Sequence, residues 1–120
     1  MRLNSSSNKV VLICKRVGFY SEEDETAFFE WAQPIKCVRK IQGVRDEIWL
    51  HLRSIKVSDR WLRELLALFY RYKIDMTQLQ QFLNQTNSNW FNDKDFWFHN
   101  RVFRTKPSLK TRTRKSEKEK

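Results

Sequence analysis

Few side chains in this 120-residue sequence are of the types that do chemistry: two histidines, two cysteines and one run of acids. His51 and His99 fit neither H-x-x-x-H nor H-E-x-x-H, and neither stands at ligand spacing from a cysteine, so no metal-binding pattern forms. Cys14 and Cys37 make no C-x-x-C pair and sit in apolar stretches. A cysteine nucleophile should be accessible and near a positive group, whereas Cys14 sits in the most apolar strand, which weakens any cysteine–His51 couple. Glu22, Glu23, Asp24 and Glu25 are adjacent on a predicted helix, where they point around the axis instead of converging on a substrate. They suit the positive end of the helix dipole. Two glycines cannot build a G-x-G-x-x-G or Walker-type phosphate loop. These residues predict no catalysis, no metal and no cofactor.

One pattern does read as a contact surface. In DEIWLHLRS, Ile48, Leu50 and Leu52 alternate with Trp49, His51 and Arg53, so one set faces a core and the other stands outside. Arg39 or Lys40, on a neighbouring strand, can join the outer set. An aromatic among cations on an open sheet can anchor a protein partner. It can also stack bases and meet phosphates. Trp49, His51, Arg53 and Arg39 are therefore the candidate partner-binding residues. The competing reading is that the last helix or the aromatic segment 90–103 covers this face.

The elements that would position them follow from periodicity. Residues 10–17 begin as an unbroken apolar run, VVLIC, which predicts a strand buried on both faces and central in its sheet. Ser21 can cap a helix carrying Phe28, Trp31, Ala32 and Ile35 on one side, and Pro34 should end it near Gln33. Residues 37–41 and 47–55 read as a hairpin turning over 42–46 around Gly43. Ser58 can cap a second helix with Leu62, Leu65, Leu66 and Phe69 buried, and Arg60, Arg63, Glu64 and Arg71 opposite. Asp75 starts a short third helix through Met76, Leu79, Phe82 and Leu83. Segment 96–103 reads as a closing helix capped by Asp93 or Asp95, with an edge strand over 96–98 as the other option. The order is β-α-β-β-α-α, which predicts an α+β fold with a small three-stranded antiparallel-type sheet and helices packed on one face.

Seventeen aromatics (Phe 9, Trp 5, Tyr 3) supply a core large enough for one domain at this length. The charge is uneven. Residues 104–120 hold 8 Lys/Arg and 2 Glu, a net +6, and the remaining 103 residues hold 16 and 12, a net +4. The expected organisation is a flexible N-terminus at 1–8, a single α+β domain at 9–104 and a disordered basic tail at 105–120. The start MRLNSSSNK has no apolar leader, and no apolar run approaches the roughly 20 residues a membrane helix needs. Free thiols and no leader predict a cytoplasmic protein without a membrane partner.

The stretch LLALFYRYKIDMTQLQQFLNQTNSNWF, with GFYSEEDETAFFEW before it, resembles small bacterial immunity proteins that accompany secreted or contact-delivered toxins. The resemblance spans about residues 9–103 and implies a small cytosolic α/β inhibitor that plugs a cognate protein toxin. Inhibitors of nuclease toxins in that group are commonly acidic, whereas this body is basic, so the implied toxin is not a basic nuclease. The alternative partner is nucleic acid, held by the Trp49 face and the tail. The β-α-β-β-α order resembles the start of the RNA-recognition-motif fold, but DEIWLHLRS lacks that family's glycine-and-aromatic third-strand signature.

Overall fold

The computed structural model describes residues 10–104. The flexible stretch expected at 1–8 and the tail expected at 105–120 lie outside the described residues. The chain runs β1 (Val10–Lys15), α1 (Glu22–Ala32), β2 (Val38–Val44), β3 (Glu47–Leu52), α2 (Asp59–Arg71), a 3₁₀ helix (Met76–Phe82), α3 (Ser88–Phe91) and α4 (His99–Val102). The strands form one antiparallel sheet in the order β1-β3-β2, an α+β fold with the core between the sheet and the helices.

The central strand is β3, not the strand that opens the chain. Leu50 and Leu52 of β3 are fully buried, and so are Leu12 and Cys14 of β1. On its other face β1 exposes Val11 to 40% and leaves Ile13 half-buried. The apolar run VVLIC reads as buried on both sides because its outer positions are also apolar; the face they lie on is left open by the described residues. The first strand ends at Lys15, before Gly18, where Arg16 turns into the left-handed region with φ 49°. The hairpin turn is Arg45–Asp46 instead of 42–46. Arg45 takes φ 58°, while Gly43 pairs with Ile48 inside the ladder and has no positive φ.

The free edge of β1 is closed by one side chain. Ile13 N–H donates to Gln78 Oε1 at 2.7 Å, and Gln78 Nε2 donates back to the Ile13 carbonyl at 2.8 Å. The amide thus imitates one residue of a further strand and satisfies an edge that would otherwise invite pairing. Gln78 reaches it from the 3₁₀ helix, whose buried residues Met76, Leu79 and Phe82 recur every third position. That spacing matches a three-residue turn, and it explains why the expected α-helix is wound more tightly and leaves Leu83 37% exposed.

The helices start and stop as their caps dictate. Ser21 Oγ accepts from Asp24 N–H at 3.1 Å, and Asp24 Oδ2 accepts from Tyr20 N–H at 2.9 Å, one residue ahead of the cap. Gln33 closes α1 before Pro34. On α2, two residues assigned to the solvent face have partners on other elements, besides Arg60, whose guanidinium lies 4.6 Å from the centroid of its neighbour Trp61. Glu64 Oε1 accepts the Trp31 indole N–H at 2.9 Å, tying α1 to α2, and the Arg63 guanidinium lies 3.9 Å from the centroid of the Trp90 ring. Residues 96–98 are turn, not strand, and the closing helix is only His99–Val102. Neither aspartate caps it: Phe98 holds that position without a side-chain bond, and Asp93 Oδ1 accepts from Asp95 N–H at 2.9 Å. Phe98 and Val102 enter the core, and Gln80 Nε2 bonds the Val102 carbonyl at 2.8 Å, so this segment packs on the helical layer and not on the sheet's outer face.

Alanine at Leu65 or Phe69 is expected to cost about 2–5 kcal/mol, the range for large-to-small core changes, read by chemical denaturation. Arg71→Ala should cost well under ~1 kcal/mol, as surface changes do. Arg63→Ala should exceed it, because removing a guanidinium stacked on an indole forfeits about 0.5–2 kcal/mol. Equal effects at the two arginines would show that the Arg63–Trp90 contact contributes nothing.

Candidate functional site

The register of the ladders sets out the uncovered face in three rows. Val11, His51 and Lys40 stand abreast; then Ile13, Trp49 and Gln42; then Lys15, Glu47 and Val44. Neighbours in such a row have Cβ atoms roughly 5 Å apart, so each row is a line of touching side chains. The middle of the face is apolar and aromatic: Val11, Ile13, Trp49 and His51, with Trp49 and His51 ring centroids 6.3 Å apart. Lys15, Lys40, Gln42 and Glu47 surround them.

The two rings are held in place. Trp49 Nε1 donates to Glu47 Oε1 at 2.9 Å, and His51 Nε2 lies 2.8 Å from Gln42 Oε1. With that oxygen as acceptor, Nε2 is the protonated ring nitrogen. Burial, then the charges of Lys40 and Arg39, push the His51 pKa below the ordinary histidine value, so the ring is neutral at pH 7. A face whose anchors are already fixed loses little rotamer freedom on binding.

The four residues expected to form the site do not stay together. Trp49 and His51 do. Arg39 occupies a bulge between the Val38 and Lys40 pairings, so Lys40 takes the place opposite His51 and Arg39 stands exposed at the rim. Arg53 lies beyond the end of β3; its N–H donates to the Cys37 carbonyl at 3.0 Å and its Nε to the Lys36 carbonyl at 3.2 Å. That bond ties its guanidinium to the approach to β2, away from the rings. Sequence reasoning missed Val11, Ile13 and Lys15, since a strand taken as central and buried offers no outer face. The alternation that identified Trp49 would have found them once β1 was paired with β3.

The thiols are placed for packing. Cys14 lies on the inner face opposite Ile48, with His51 on the other side of the sheet, so the two cannot couple. Burial pushes the Cys14 pKa up to about 12 and that of Cys37 up to about 11. Among the described residues no group of three or more His, Cys, Asp or Glu could hold a metal ion, and no helix is long and apolar enough to cross a membrane. Comparisons of the chain with protein-family models, with characterised proteins and with solved structures found no match.

Two measurements check this geometry. In an NMR titration His51 should ionise below the ordinary histidine range, and Lys40→Gln should move it upward by removing a neighbouring charge. Because its folded pKa lies below its unfolded one, the folded state binds fewer protons in the window just under pH 6.5. His51's contribution to stability is therefore complete above that pH and declines as pH falls through the window. In the native protein Cys14 should resist alkylation at pH 8 until the domain is unfolded; reaction at the rate of a free thiol would contradict its burial.

Proposed function

We propose that this protein is a non-enzymatic protein-binding module, most concretely a bacterial cytoplasmic immunity protein that neutralises a cognate toxin by occluding its active site. One observation carries the reading: a sheet face that the described residues leave open has an apolar and aromatic centre, Val11, Ile13, Trp49 and His51, with its rings fixed by hydrogen bonds and a polar rim around it. Centres of this kind, shielded from water by a polar border, supply most of the energy of protein interfaces. Lys15, Lys40 and Arg39 favour a partner that offers an apolar projection flanked by carboxylates. Inhibition would be steric and need no group that reacts. The alternative use of this face for nucleic acid is disfavoured by the Glu47 carboxylate bonded to the Trp49 indole and by the neutral His51.

The test is to examine the neighbouring reading frame in the genome, which should encode a large toxin, and to co-express its product with this protein. Wild-type protein should relieve the growth arrest. Trp49→Ala should weaken toxin binding by about 2 kcal/mol, roughly thirtyfold, while leaving the melting temperature almost unchanged. Rescue that survives Trp49→Ala with Ile13→Ser would move the interface elsewhere. A Trp49→Ala protein that cannot fold would mean that Trp49 belongs to the core.

A further inference from the structure

A second surface, made by other elements, has different chemistry. Helix α2 ends in a paired motif: Lys73 N–H donates to the Tyr70 carbonyl at 3.3 Å and Ile74 N–H to the Phe69 carbonyl at 2.9 Å, with Lys73 left-handed at φ 59°. Beside this turn lies a cavity of about 690 Å³ whose charged lining is Arg71, Lys73, Arg101, Arg104 and Asp75. The single acid is engaged elsewhere: Asp75 Oδ1 accepts from Thr77 N–H at 3.0 Å and from Thr77 Oγ1 at 2.7 Å. Among the described residues the one side-chain ion pair is Arg16–Asp46, so no described carboxylate pairs closely with the four cations, and with Asp75 counted the lining is still cationic.

Cations at a helix C-terminus complement its dipole, and that accounts for Arg71 and Lys73. It does not account for Arg101 and Arg104, which reach the same cavity from α4 and the segment after it. Nor does it explain a lysine at the left-handed position, where glycine is the cheaper residue. The cavity also has an aromatic border. Tyr70 lies between the Arg101 guanidinium, 5.0 Å from its ring centroid, and Trp97, whose ring centroid is 4.9 Å away. Tyr70 is 49% and Trp97 56% exposed. From Arg104, at the cavity wall, the sequence continues with seven more Lys/Arg against two Glu.

We propose that this cavity binds single-stranded nucleic acid, with backbone phosphates on Lys73, Arg101 and Arg104 and an unpaired base stacked on the exposed Trp97 ring, which Tyr70 props edge-on. Cations that track a backbone beside exposed rings are the physical requirement for such binding. An acidic peptide would use the cations and leave the rings idle, and a duplex keeps its bases stacked away from them. This site shares no residue with the outer sheet face, so either can fail without the other.

The experiment is fluorescence anisotropy of the full chain with labelled oligouridine and oligothymidine, titrated with salt, and with a duplex DNA and a poly-glutamate peptide as competitors. Single strands should bind and should outcompete both. In Arg101→Gln with Arg104→Gln, binding should weaken and the slope of log affinity against log salt should become shallower by about 0.7 per contact removed. Trp97→Ala should weaken binding roughly ten- to hundredfold with the salt slope unchanged. Lys73→Gly separates binding from folding: it should melt higher, since the left-handed strain is relieved, yet bind more weakly. Arg39→Gln, which removes one charge from the sheet rim, should change little. Any of four outcomes overturns the proposal: equal losses from Arg39→Gln and the cavity arginines, an unaltered salt slope in the double variant, duplex bound as well as single strands with no effect of Trp97→Ala, or preference for the acidic peptide.

Discussion

The two-sided pairing of β3 is the constraint on which the rest of the molecule depends. β1 and β2 touch it on either edge, antiparallel, and neither pairs with the other. Because strand side chains alternate, one register decides both faces together. It sends Leu50 and Leu52 into the core and leaves Trp49 and His51 outside. A slip by one residue would exchange these sets and bury an indole, an imidazole and a carboxylate in place of two leucines. The register that makes the core is therefore also the one that assembles the outer surface.

The edges of this sheet are managed in different ways. β1 is sealed by the Gln78 amide, which couples the sheet to the 3₁₀ helix through two hydrogen bonds to a single residue. β2 carries a bulge and the charged pair Arg39 and Lys40, features that twist an edge and discourage another strand from adding to it. With edge growth discouraged, the broad outer face is the part of the sheet that the described residues leave for contact.

The chain makes its sharp turns without glycine. Arg16, Arg45 and Lys73 all take positive φ, and both glycines take ordinary φ values. Each costs about 1–2 kcal/mol relative to a right-handed conformation, so surrounding contacts must hold it. Arg16 is held by its N–H bond to the Asp46 carbonyl at 3.2 Å, and Lys73 by the closing bonds of α2. All three are cationic. At Lys73 that charge faces a cavity shared with Arg71, Arg101 and Arg104.

The three strands, the first two helices, their order and the inner residues of α2 were legible in the sequence, because capping and periodicity are local; the 3₁₀ winding over Met76–Phe82 and the short helix Ser88–Phe91 were not. Ser21 before four acids, Pro34 after Gln33, and the stripe Leu62, Leu65, Leu66 and Phe69 each state their role within a few residues of chain. The alternation around Trp49 was legible for the same reason. Tertiary structure alone decided which strand is central, since VVLIC is apolar on both faces and nothing local says that one face stays uncovered. It also decided that Lys40, through a bulge, replaces Arg39 beside His51, and that Arg53 turns toward the Lys36 carbonyl. The convergence of Lys73, Arg101 and Arg104 depends on packing between the end of α2 and the α4 segment, which a 3₁₀ helix and one short helix separate in sequence. A linear chain records the charge of each such residue but not the distance between them, which is settled only when the core closes.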